Sequence, residues 1–365
     1  MSKKVIISGG GTGGHIYPAI AIADALRQQD PDISVLFVGA LGKMEMEKVP
    51  RAGYEIVGLP IAGIKRALSL ENLILPFKLL NSLMKAKKII NDFKPDVAVG
   101  VGGFASGPLL MMASLQAIPI LIQEQNSYAG ITNKFLGKKA SKVCVAYPGM
   151  ESFFPKEKLV VLGNPVRSDI INVSSKRNDA LVQFGLIDTR KTLFVMGGSL
   201  GAKSINESIN EGLPRLLEAG YQVLWQTGKN YIDTAQTRIA ELGSSSVKAF
   251  DFIYTMDLAY SIADVVVSRA GALSVSELCL AAKPSILVPF PAASEDHQTK
   301  NAEALVEQHA ALMIKDSLTK QDLVSKALEL LGDLPQQQAL RLNIRKLAKP
   351  TAADDIAAEV LKLIS

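Results

Sequence analysis

The fold is set near the start of the chain, in the stretch VIISGGGTGGH (residues 5–15). An apolar run typical of a buried β-strand leads into a glycine-rich turn, and a helical pattern begins near Pro18. Glycine lets backbone N–H groups approach a ligand closely, because no Cβ stands in the way. The following helix adds unpaired N–H groups and the positive end of its dipole. The stretch therefore predicts a strand, a ligand-binding turn and a helix, which together open an α/β fold.

The same order of elements continues outward from this stretch. Short apolar runs typical of buried parallel strands alternate with helical patterns such as residues 18–28 and 73–93. In the first half these runs lie at residues 5–7, 35–38, 97–99, 120–122 and 143–145. The order then restarts with a strand at 192–196, the turn GGSLG (197–201), a helix at about 203–217, and strands at 222–225, 264–267 and 285–288. Two Rossmann-like domains in tandem are the economical interpretation.

The domain boundary is predicted at the segment GNPV (residues 163–166), between the two runs of strands. We therefore expect a first domain over residues 1–164 and a second over 165–350. An amphipathic helix is predicted from Thr351 to Ile364, after Pro350. We expect this last segment, residues 351–365, to pack back on the first domain.

Composition narrows the class of protein. The chain has 365 residues, of which 48% are hydrophobic and 21% charged, an ordinary globular balance. Its net charge is +5, but aromatic residues make up only 6%, so the mixture of basic and aromatic side chains typical of nucleic-acid binding is missing. An anionic membrane surface or a phosphate-bearing ligand accounts better for the charge. The two cysteines, Cys144 and Cys279, are predicted to be buried, reduced thiols.

The N-terminal segment also bears on location. Its apolar run is too short for a secretory signal, and no stretch approaches the roughly 18 apolar residues of a membrane span. We therefore expect a protein of the cytoplasm, or one attached to a membrane from that side.

The first glycine turn matches G-x-G-x-x-G at Gly9, Gly11 and Gly14, the pattern of dinucleotide-binding proteins. Such proteins also carry an acidic residue at the end of the second strand, where it binds a ribose. Here that strand ends FVGA (residues 37–40), without a carboxylate. A nicotinamide-dependent dehydrogenase is therefore disfavoured.

Further glycine turns favour a different ligand site. They are GGFASGP (102–108), GGSLG (197–201) and SRAGALSVSE (268–277), each following a predicted strand. Ligands of open parallel sheets bind at the carboxyl ends of strands, where these turns lie. In the last turn, Ser274 and Glu277 have the spacing of a helix capping box. The alternative is that Glu277 accepts hydrogen bonds from two ribose hydroxyls.

Taken together, these motifs resemble those of the MurG family of bacterial glycosyltransferases. The resemblance spans the chain and rests on residues 9–15, QEQN (123–126), GNPVR (163–167), GGS (197–199), 268–277 and DHQTKNA (296–302). It implies the two-domain GT-B fold and transfer of N-acetylglucosamine from UDP-N-acetylglucosamine to an undecaprenyl-pyrophosphoryl-muramyl-pentapeptide in peptidoglycan synthesis. The resemblance implies that the second half binds the sugar nucleotide and the first half the lipid-linked acceptor. It implies no role for His297.

The resemblance also implies which residues contact UDP-N-acetylglucosamine. These are Thr12, Gly13, Gly14, Asn126, Arg167, Ser199, Ile253, Ala272, Leu273, Ser274, Val275, Ser276, Glu277 and Gln298.

The implied reaction inverts the anomeric carbon, so the acceptor hydroxyl needs a base and the departing diphosphate needs stabilisation. Only His15, His297 and His309 are histidines. His15 is the preferred base, because it lies in the glycine loop at a strand's carboxyl end and is expected to face the interdomain cleft. Its alternative role is a hydrogen bond within that loop. Glu124 is the second candidate, and its alternative role is to end the preceding strand.

No metal ligand and no cofactor are predicted. The string Asp30-Pro31-Asp32 fits the D-x-D motif of metal-dependent glycosyltransferases, but it joins a helix to a strand at the opposite edge of the sheet. Asp354 and Asp355 suit a helix N-terminus. We expect the turn at Ser199, the helix after it and Arg167 to stabilise the diphosphate instead.

Two other functions remain open on the sequence. One is a UDP-N-acetylglucosamine epimerase of the same architecture, and the other is a non-catalytic subunit that binds a sugar nucleotide. An apolar and basic segment from Ile64 to about Lys88, extended by Lys138 and Lys139, favours the transferase. Such a segment predicts peripheral docking on the anionic inner face of the plasma membrane, where a lipid-linked acceptor resides.

Overall fold

The chain folds into two compact units, each built on one parallel β-sheet. The computed structural model describes residues 2–61, 75–166, 168–171, 173–198, 200–293 and 296–364. The first unit comprises Met1–Arg167 and Thr351–Ser365, and the second comprises Ser168–Pro350. The second unit is thus inserted between two segments of the first.

The sheet of the first unit has the strand order β3-β2-β1-β4-β5-β6-β7, and all its described strand pairs are parallel. Its strands are β1 (Lys4–Gly9), β2 (Ser34–Ala40), β3 (Glu55–Leu59), β4 (Val97–Gly102), β5 (Ile120–Glu124), β6 (Lys142–Val145) and β7 (Leu159–Val161). Its helices are α1 (Gly13–Gln29), α2 (Glu45–Arg51), α3 (Leu75–Phe93), α4 (Ser106–Leu115), α5 (Ile131–Gly137) and α14 (Ala352–Lys362).

The sheet of the second unit has the order β10-β9-β8-β11-β12-β13, again parallel. Its strands are β8 (Thr192–Met196), β9 (Gln222–Gln226), β10 (Val247–Phe250), β11 (Val265–Ser268), β12 (Ser285–Leu287) and β13 (Leu312–Met313). Its helices are α6 (Arg177–Phe184), α7 (Lys203–Glu218), α8 (Ile232–Leu242), α9 (Met256–Ile262), α10 (Ala272–Leu280), α11 (His297–Val306), α12 (Thr319–Gly332) and α13 (Leu334–Lys346). The predicted class, two Rossmann-like parallel-sheet domains, is confirmed.

Apolar layers cover both faces of the first sheet. On one face α1 and α14 contribute to a core that also contains Val5, Phe37 and Val99. On the other face α3, α4 and α5 pack over Ile6 and Ile122. Burying both faces explains why the central strands are apolar throughout and do not alternate with polar residues.

The C-terminal helix α14 completes the first of these layers. Ile356, Ala357 and Val360 are fully buried beside α1, at a spacing that places them on one helix face. The Gln29 side chain donates a 2.9 Å hydrogen bond to the Asp354 carbonyl. Asp354 and Asp355 lie in the first turn of α14, where the helix dipole favours negative charge.

Helix α1 begins earlier than predicted. The sequence placed its start near Pro18, whereas the structure begins it at Gly13, with Thr12 in the extended conformation before it. The Thr12 carbonyl accepts hydrogen bonds from the backbone of His15 and Ile16, which closes the first turn. His15 therefore belongs to the first turn of a helix and not to the loop itself.

The two cysteines are buried, one in each unit. Cys144 and Cys279 are free and buried, as predicted. Burial in apolar surroundings raises the pKa of each thiol to about 12, so both stay protonated near neutral pH.

We predict that Ile356→Ala destabilises the first unit by about 2–5 kcal/mol, because it removes a fully buried side chain and leaves a cavity between α14 and α1. Unfolding in urea should be followed by far-UV circular dichroism and by the fluorescence of Trp225, the only tryptophan, which is buried in the core of the second unit. We expect the dichroism midpoint to fall more than the fluorescence midpoint. The control is Leu115→Ala on α4, whose side chain is 67% exposed. Equal shifts of both probes, or equal effects of both variants, contradict the prediction.

Candidate functional site

Four of the predicted turns follow the two pairs of strands at which the strand order reverses. In the first sheet β2 and β3 lie on one side of β1, and β5 to β7 lie beyond β4. In the second sheet β8 and β11 hold the same positions. Ligands of open parallel sheets bind outside the carboxyl ends of strands at such reversals. Each unit therefore presents one candidate ligand site at this place.

In the first unit the loops after β1 and β4 are in direct contact. The Gly10 N–H donates a 3.3 Å hydrogen bond to the Gly102 carbonyl. Gly103 has φ +92°, and a Cβ there would collide with the backbone of Gly10. The Ser106 hydroxyl lies 2.8 Å from the Gly102 carbonyl oxygen and 3.0 Å from that of Ser8, so it links the two strand ends. Backbone contacts and the Ser106 hydroxyl thus join the two loops.

His15 lies against these two loops. Its Nδ1 is 3.0 Å from the Gly10 carbonyl oxygen, which can only accept a hydrogen bond, so Nδ1 carries the proton. In the neutral ring the lone pair is then on Nε2. A Cβ on Gly102 would stand 2.7 Å from the imidazole Cδ2, which explains why glycine with φ +108° is needed there. The half-buried ring therefore has one fixed nitrogen and one that is able to accept a proton.

A buried carboxylate that the sequence analysis missed supports the same loop. Glu45, the first residue of α2, is 1% exposed. Its two oxygens accept hydrogen bonds from the backbone N–H of Gly11, at 2.9 Å, and of Ala40, at 3.0 Å. Strand β2 ends without a carboxylate, as the sequence indicated. Glu45, five residues after the end of β2, supplies one. It accepts backbone N–H groups where a dinucleotide phosphate would need them.

Glu124 ends β5 and is 2% exposed. Its Oε1 accepts from the Asn126 backbone at 3.1 Å and from the Asn126 side chain at 3.4 Å. Its Oε2 accepts from the Gly130 backbone at 3.0 Å and from the Asn133 side chain at 2.8 Å. Four donors thus point at this carboxylate. The arrangement suits a group that shapes the loop 126–133 and places Asn126.

The other polar residues of this segment are also held by hydrogen bonds. Gln123 donates to the Asn164 side chain at 3.1 Å, and Asn164 donates to the Gln125 carbonyl at 3.0 Å. Gln125 donates to the Val101 carbonyl at 2.7 Å and contacts the Gln123 side chain. The motif QEQN therefore connects the ends of β4 and β5 to the segment at Asn164.

Three of the predicted sugar-nucleotide residues of the first unit, Thr12, Gly13 and Gly14, lie in the chain just before His15. Thr12 is the residue before α1, and Gly13 and Gly14 open the helix. No side chain caps this end, and its first turn holds no acidic residue. Backbone N–H groups at an uncapped helix start suit an anionic ligand.

In the second unit Gln226 joins three loops and was not singled out from the sequence. It ends β9, between β8 and β10. Its side-chain nitrogen donates to the Gly198 carbonyl at 3.2 Å, and its side-chain oxygen accepts from the Ile253 backbone at 2.9 Å. The predicted contact Ile253 is thereby fixed relative to the glycine turn after β8.

The predicted capping box at Ser274 is wrong. Helix α10 begins at Ala272 with Gly271 before it, so Ser274 is already the third helical residue. Glu277 lies a further turn along and accepts a 2.9 Å hydrogen bond from the hydroxyl of the fully buried Tyr260. Gly271, which has an extended conformation, immediately precedes the first helical residue. The Glu277 carboxylate is therefore held by a neighbouring helix and not by the start of its own.

The helix α10 divides the run 272–277 into two faces. Ala272 and Val275 are buried, whereas Leu273, Ser274, Ser276 and Glu277 are half-buried. The Ser276 hydroxyl donates to the Ala272 carbonyl at 3.0 Å. Only the half-buried face presents side chains that a ligand can contact.

Two buried polar residues connect the turn before α10 to its surroundings, Arg269 to the loop after β12 and Asn301 to α11. The Arg269 guanidinium donates to the carbonyls of Val288 and Pro289, each at 3.2 Å, and pairs with Asp316. The Asn301 side chain donates to the Ala270 carbonyl at 3.2 Å. Neither residue was singled out from the sequence, in which a buried arginine resembles any surface one.

Gln298 is the second residue of α11, and its side-chain oxygen accepts a 3.0 Å hydrogen bond from the Phe290 backbone. It thus fixes the loop after β12. Two further predicted contacts, Arg167 and Ser199, lie outside the described residues. Of the predicted set, the structure places Thr12, Gly13, Gly14, Asn126, His15 and Glu124 in the first unit and Ile253, 272–277 and Gln298 in the second.

The acidic pairs considered as metal ligands lie elsewhere. Asp30 follows the last residue of α1 and pairs with Lys3 at 2.9 Å, a hydrogen bond that lowers the pKa of the Asp30 carboxyl. Within the described part of the chain, no group of three or more His, Cys, Asp or Glu side chains is arranged to hold a metal ion.

Comparison with known families places the chain in a wider group. The model of the glycosyltransferase family 28 N-terminal domain matches residues 5–145, and that of the glycosyltransferase family 28 C-terminal domain matches residues 192–356.

Curated relatives are similar to the chain over almost their whole length. Proteins of Parabacteroides distasonis and Cytophaga hutchinsonii are each 54% identical to the chain. The matches cover 99% of the chain and 98% and 97% of the relatives, respectively. Both are named UDP-N-acetylglucosamine–N-acetylmuramyl-(pentapeptide) pyrophosphoryl-undecaprenol N-acetylglucosamine transferase.

Solved structures agree with these relatives. The crystal structure of Acinetobacter baumannii MurG superposes with a TM-score of 0.80 at 29% identity, covering 99% of the chain and 100% of that protein. The UDP-GlcNAc 2-epimerase of Neisseria meningitidis, bound to UDP-GlcNAc, has a TM-score of 0.69 at 14% identity, covering 99% and 100%, and shares the fold. The predicted resemblance is confirmed, and the chain belongs to the MurG family within glycosyltransferase family 28.

Proposed function

We propose that this protein transfers N-acetylglucosamine from UDP-N-acetylglucosamine to undecaprenyl-pyrophosphoryl-N-acetylmuramyl-pentapeptide, a step of peptidoglycan synthesis. The observation that carries the proposal is the 54% identity to relatives named for this transfer, over 99% of the chain. The geometry of the two candidate sites is consistent with it.

The reaction proposed is a single displacement that inverts the anomeric carbon. The acceptor hydroxyl oxygen forms a bond to that carbon, the bond from the carbon to the diphosphate oxygen breaks, and its electron pair leaves with UDP. His15 accepts the hydroxyl proton at Nε2, the nitrogen that the Gly10 carbonyl leaves unprotonated. Imidazole is the side chain most often used for proton transfer near neutral pH.

Glu124 is assigned a supporting role in this proposal. Both of its oxygens already accept hydrogen bonds from four groups, so a proton acceptor there would first have to lose some of them. We propose that it positions Asn126, one of the expected sugar-nucleotide contacts. His15 is thereby the preferred base of the two.

The donor is assigned chiefly to the second unit. Helices α7 and α10 follow β8 and β11, and neither has an acidic residue in its first turn. Their positive dipole ends suit the charge that develops on the leaving diphosphate, together with Ser199 and Arg167. Glu277, held by Tyr260, is assigned to the ribose hydroxyls.

The two other functions have less support. The UDP-N-acetylglucosamine 2-epimerases among these solved structures share the fold at identities of 12–14%, which carries no argument about activity. A non-catalytic subunit would have no use for the fixed tautomer of His15. Turnover with a lipid-linked acceptor separates all three functions.

We predict that the purified protein transfers labelled N-acetylglucosamine to a lipid-linked muramyl-pentapeptide, and that His15→Ala lowers kcat by about 10²–10⁴-fold, the range for loss of a general base. The affinity for UDP should stay unchanged. The matched variant is Glu124→Gln, which we expect to lower thermal stability, because an amide nitrogen would face the donors of Gly130 and Asn133.

No transfer by the wild-type protein with a verified acceptor would overturn the proposed function. Near-normal turnover of His15→Ala at saturating substrate, with EDTA present, would move the base to another group. Wild-type stability of Glu124→Gln combined with a large loss of kcat would assign that role to Glu124.

We predict that Glu277→Ala weakens UDP binding by about 1–3 kcal/mol, as for loss of hydrogen bonds to a charged group, when measured by calorimetry. Tyr260→Phe keeps the carboxylate but removes the hydroxyl that donates to it, and should lower UDP affinity by about 0.5–1.5 kcal/mol. Glu307→Ala, an exposed change on the same unit, is the control. Unchanged affinity in a folded Glu277→Ala would remove the ribose contact from the proposal.

We further propose that the protein docks on the cytoplasmic face of the plasma membrane through α3 and α5. No helix of the described residues is long and apolar enough to cross a bilayer. The predicted segment begins at Ile64, and its residues up to 74 lie outside the described part of the chain. From Phe77 onward the side chains can be assessed.

Helix α3 has two apolar faces. Ala86, Ile89 and Ile90 are buried in the core under the sheet. Phe77, Leu80 and Met84 are 74%, 57% and 59% exposed, and their spacing places them on one stripe. A helix that only covers a sheet has no need of the second stripe. Lys85, Lys87 and Lys88 follow on the same helix.

Helix α5 carries a second apolar and basic patch. Ile131 and Phe135 are 75% and 58% exposed. With Lys134, Lys138 and Lys139 they line a shallow depression of about 500 Å³. Helix α4 packs against both α3 and α5 on the same face of the sheet. Both patches therefore lie on one side of the first unit, where anionic lipid would attract them.

We predict that the protein sediments with anionic vesicles and less with neutral ones, and that moderate salt weakens the binding. A variant with Phe77, Ile131 and Phe135 changed to Ser should lose most of it. The matched control changes Val182 and Leu342 to Ser in the second unit, where they are 85% and 64% exposed. Equal recovery with both lipids, or equal loss by both variants, contradicts the docking surface.

A further inference from the structure

Glu45 is buried and does not contact substrate in the proposed function. Among the described residues its hydrogen-bond partners are the backbone N–H groups of Gly11 and Ala40, and not a lysine or arginine side chain. A carboxylate in the protein interior is costly unless it is well hydrogen-bonded. Each carboxylate oxygen accepts a hydrogen bond from one backbone N–H, so both oxygens are needed to satisfy the two donors.

The Gly11 N–H and the Gly10 C=O belong to the same peptide group. Glu45 Oε2 accepts from that N–H at 2.9 Å, and the carbonyl accepts from His15 Nδ1–H at 3.0 Å. A continuous chain therefore runs from a carboxylate through one peptide group to the imidazole. Hydrogen bonds in such a chain polarise one another, which strengthens each by about 10–30%. The negative charge makes the Gly10 carbonyl a better acceptor for Nδ1–H.

The surrounding glycines keep space for both ends of this chain. A Cβ on Gly10 or on Gly39 would collide with the Glu45 side chain. A Cβ on Gly102 would meet the imidazole ring at 2.7 Å. Side chains at these positions would displace either the carboxylate or the ring. Glycines at three positions therefore leave the space that the carboxylate and the imidazole ring occupy.

We propose that Glu45 is a positioning residue that holds His15, through the Gly10–Gly11 peptide, in the tautomer with its lone pair on Nε2. That His15 acts as the base rests on the function proposed above, whereas the hydrogen-bond chain does not. Free histidine in water favours the opposite neutral tautomer, with the proton on Nε2. A hydrogen bond that fixes the proton on Nδ1 therefore keeps the lone pair of the neutral ring on Nε2.

The test uses nitrogen NMR of the full-length protein labelled with ¹⁵N in histidine, since only three histidines contribute signals. His297→Gln and His309→Gln assign the signal of His15. In the wild-type protein, at a pH where the imidazole ring is neutral, we expect the Nδ1–H tautomer. In Glu45→Gln, which leaves only one accepting oxygen for two N–H donors, the population should move toward the Nε2–H tautomer.

The matched control is Glu47→Gln. It removes the same charge from the same helix, but its side chain is 58% exposed and pairs with Arg51. We expect its His15 signal to equal that of the wild type. In the transfer assay, Glu45→Gln should lower kcat by about 10- to 100-fold, the range for loss of the outer hydrogen-bond partner of a metal-binding histidine. KM for the sugar nucleotide should change little.

A wild-type His15 that is mainly Nε2–H overturns the proposal without any variant. An unchanged tautomer in Glu45→Gln, with native circular dichroism and UDP affinity, overturns it as well. If Glu45→Gln does not fold, Glu45→Asp, which keeps the charge but shortens its reach, replaces it with the same expected shift. A wild-type protein with the Nδ1–H tautomer but no transfer activity would remove the proposed function and leave the positioning intact.

Discussion

The contact between the loops after β1 and β4 is the constraint on which the first site depends. These loops touch through backbone atoms, at Gly10 and at Gly102 and Gly103, with no side chain between them. Because the contact is this close, the Gly10 carbonyl has a fixed direction, and His15 takes its orientation from that carbonyl. Glu45 fixes the same peptide from the other side. The second unit uses the same device, since Gly201 and Gly228 have positive φ and lie where a Cβ would strike the neighbouring loop.

The sequence predicted the interior strands of both sheets and none of the four edge strands. Strands such as β1, β4, β8 and β9 are buried almost throughout, so their residues form unbroken apolar runs. The strands β3, β7, β10 and β13 each lie at an edge, are partly exposed and are as short as two residues. An edge strand is held by pairing along one side, and pairing leaves little trace in side-chain pattern.

The places of the glycine turns in the fold could be predicted, whereas the hydrogen bonds around them could not. Glycine turns after strands mark the place of a ligand site, because the parallel sheet fixes which ends lie together. Helix starts depend on tertiary contacts, which is why α1 and α10 begin elsewhere than the local patterns of Pro18 and Ser274 suggested. Glu45 stands in a stretch of ordinary amphipathic character. Its burial follows from the absence of side chains at Gly10 and Gly39, which are 35 and 6 residues away along the chain.

The inserted position of the second unit has a consequence for how the protein is made. The first unit needs α14 to cover α1, yet α14 leaves the ribosome only after all of residues 168–350. During synthesis the apolar face of α1 therefore stays uncovered until the second unit has emerged. The second unit draws its core from consecutive residues and can fold as it emerges. A chain that ended near residue 350 would therefore contain all of the second unit but lack the helix that covers α1 in the first.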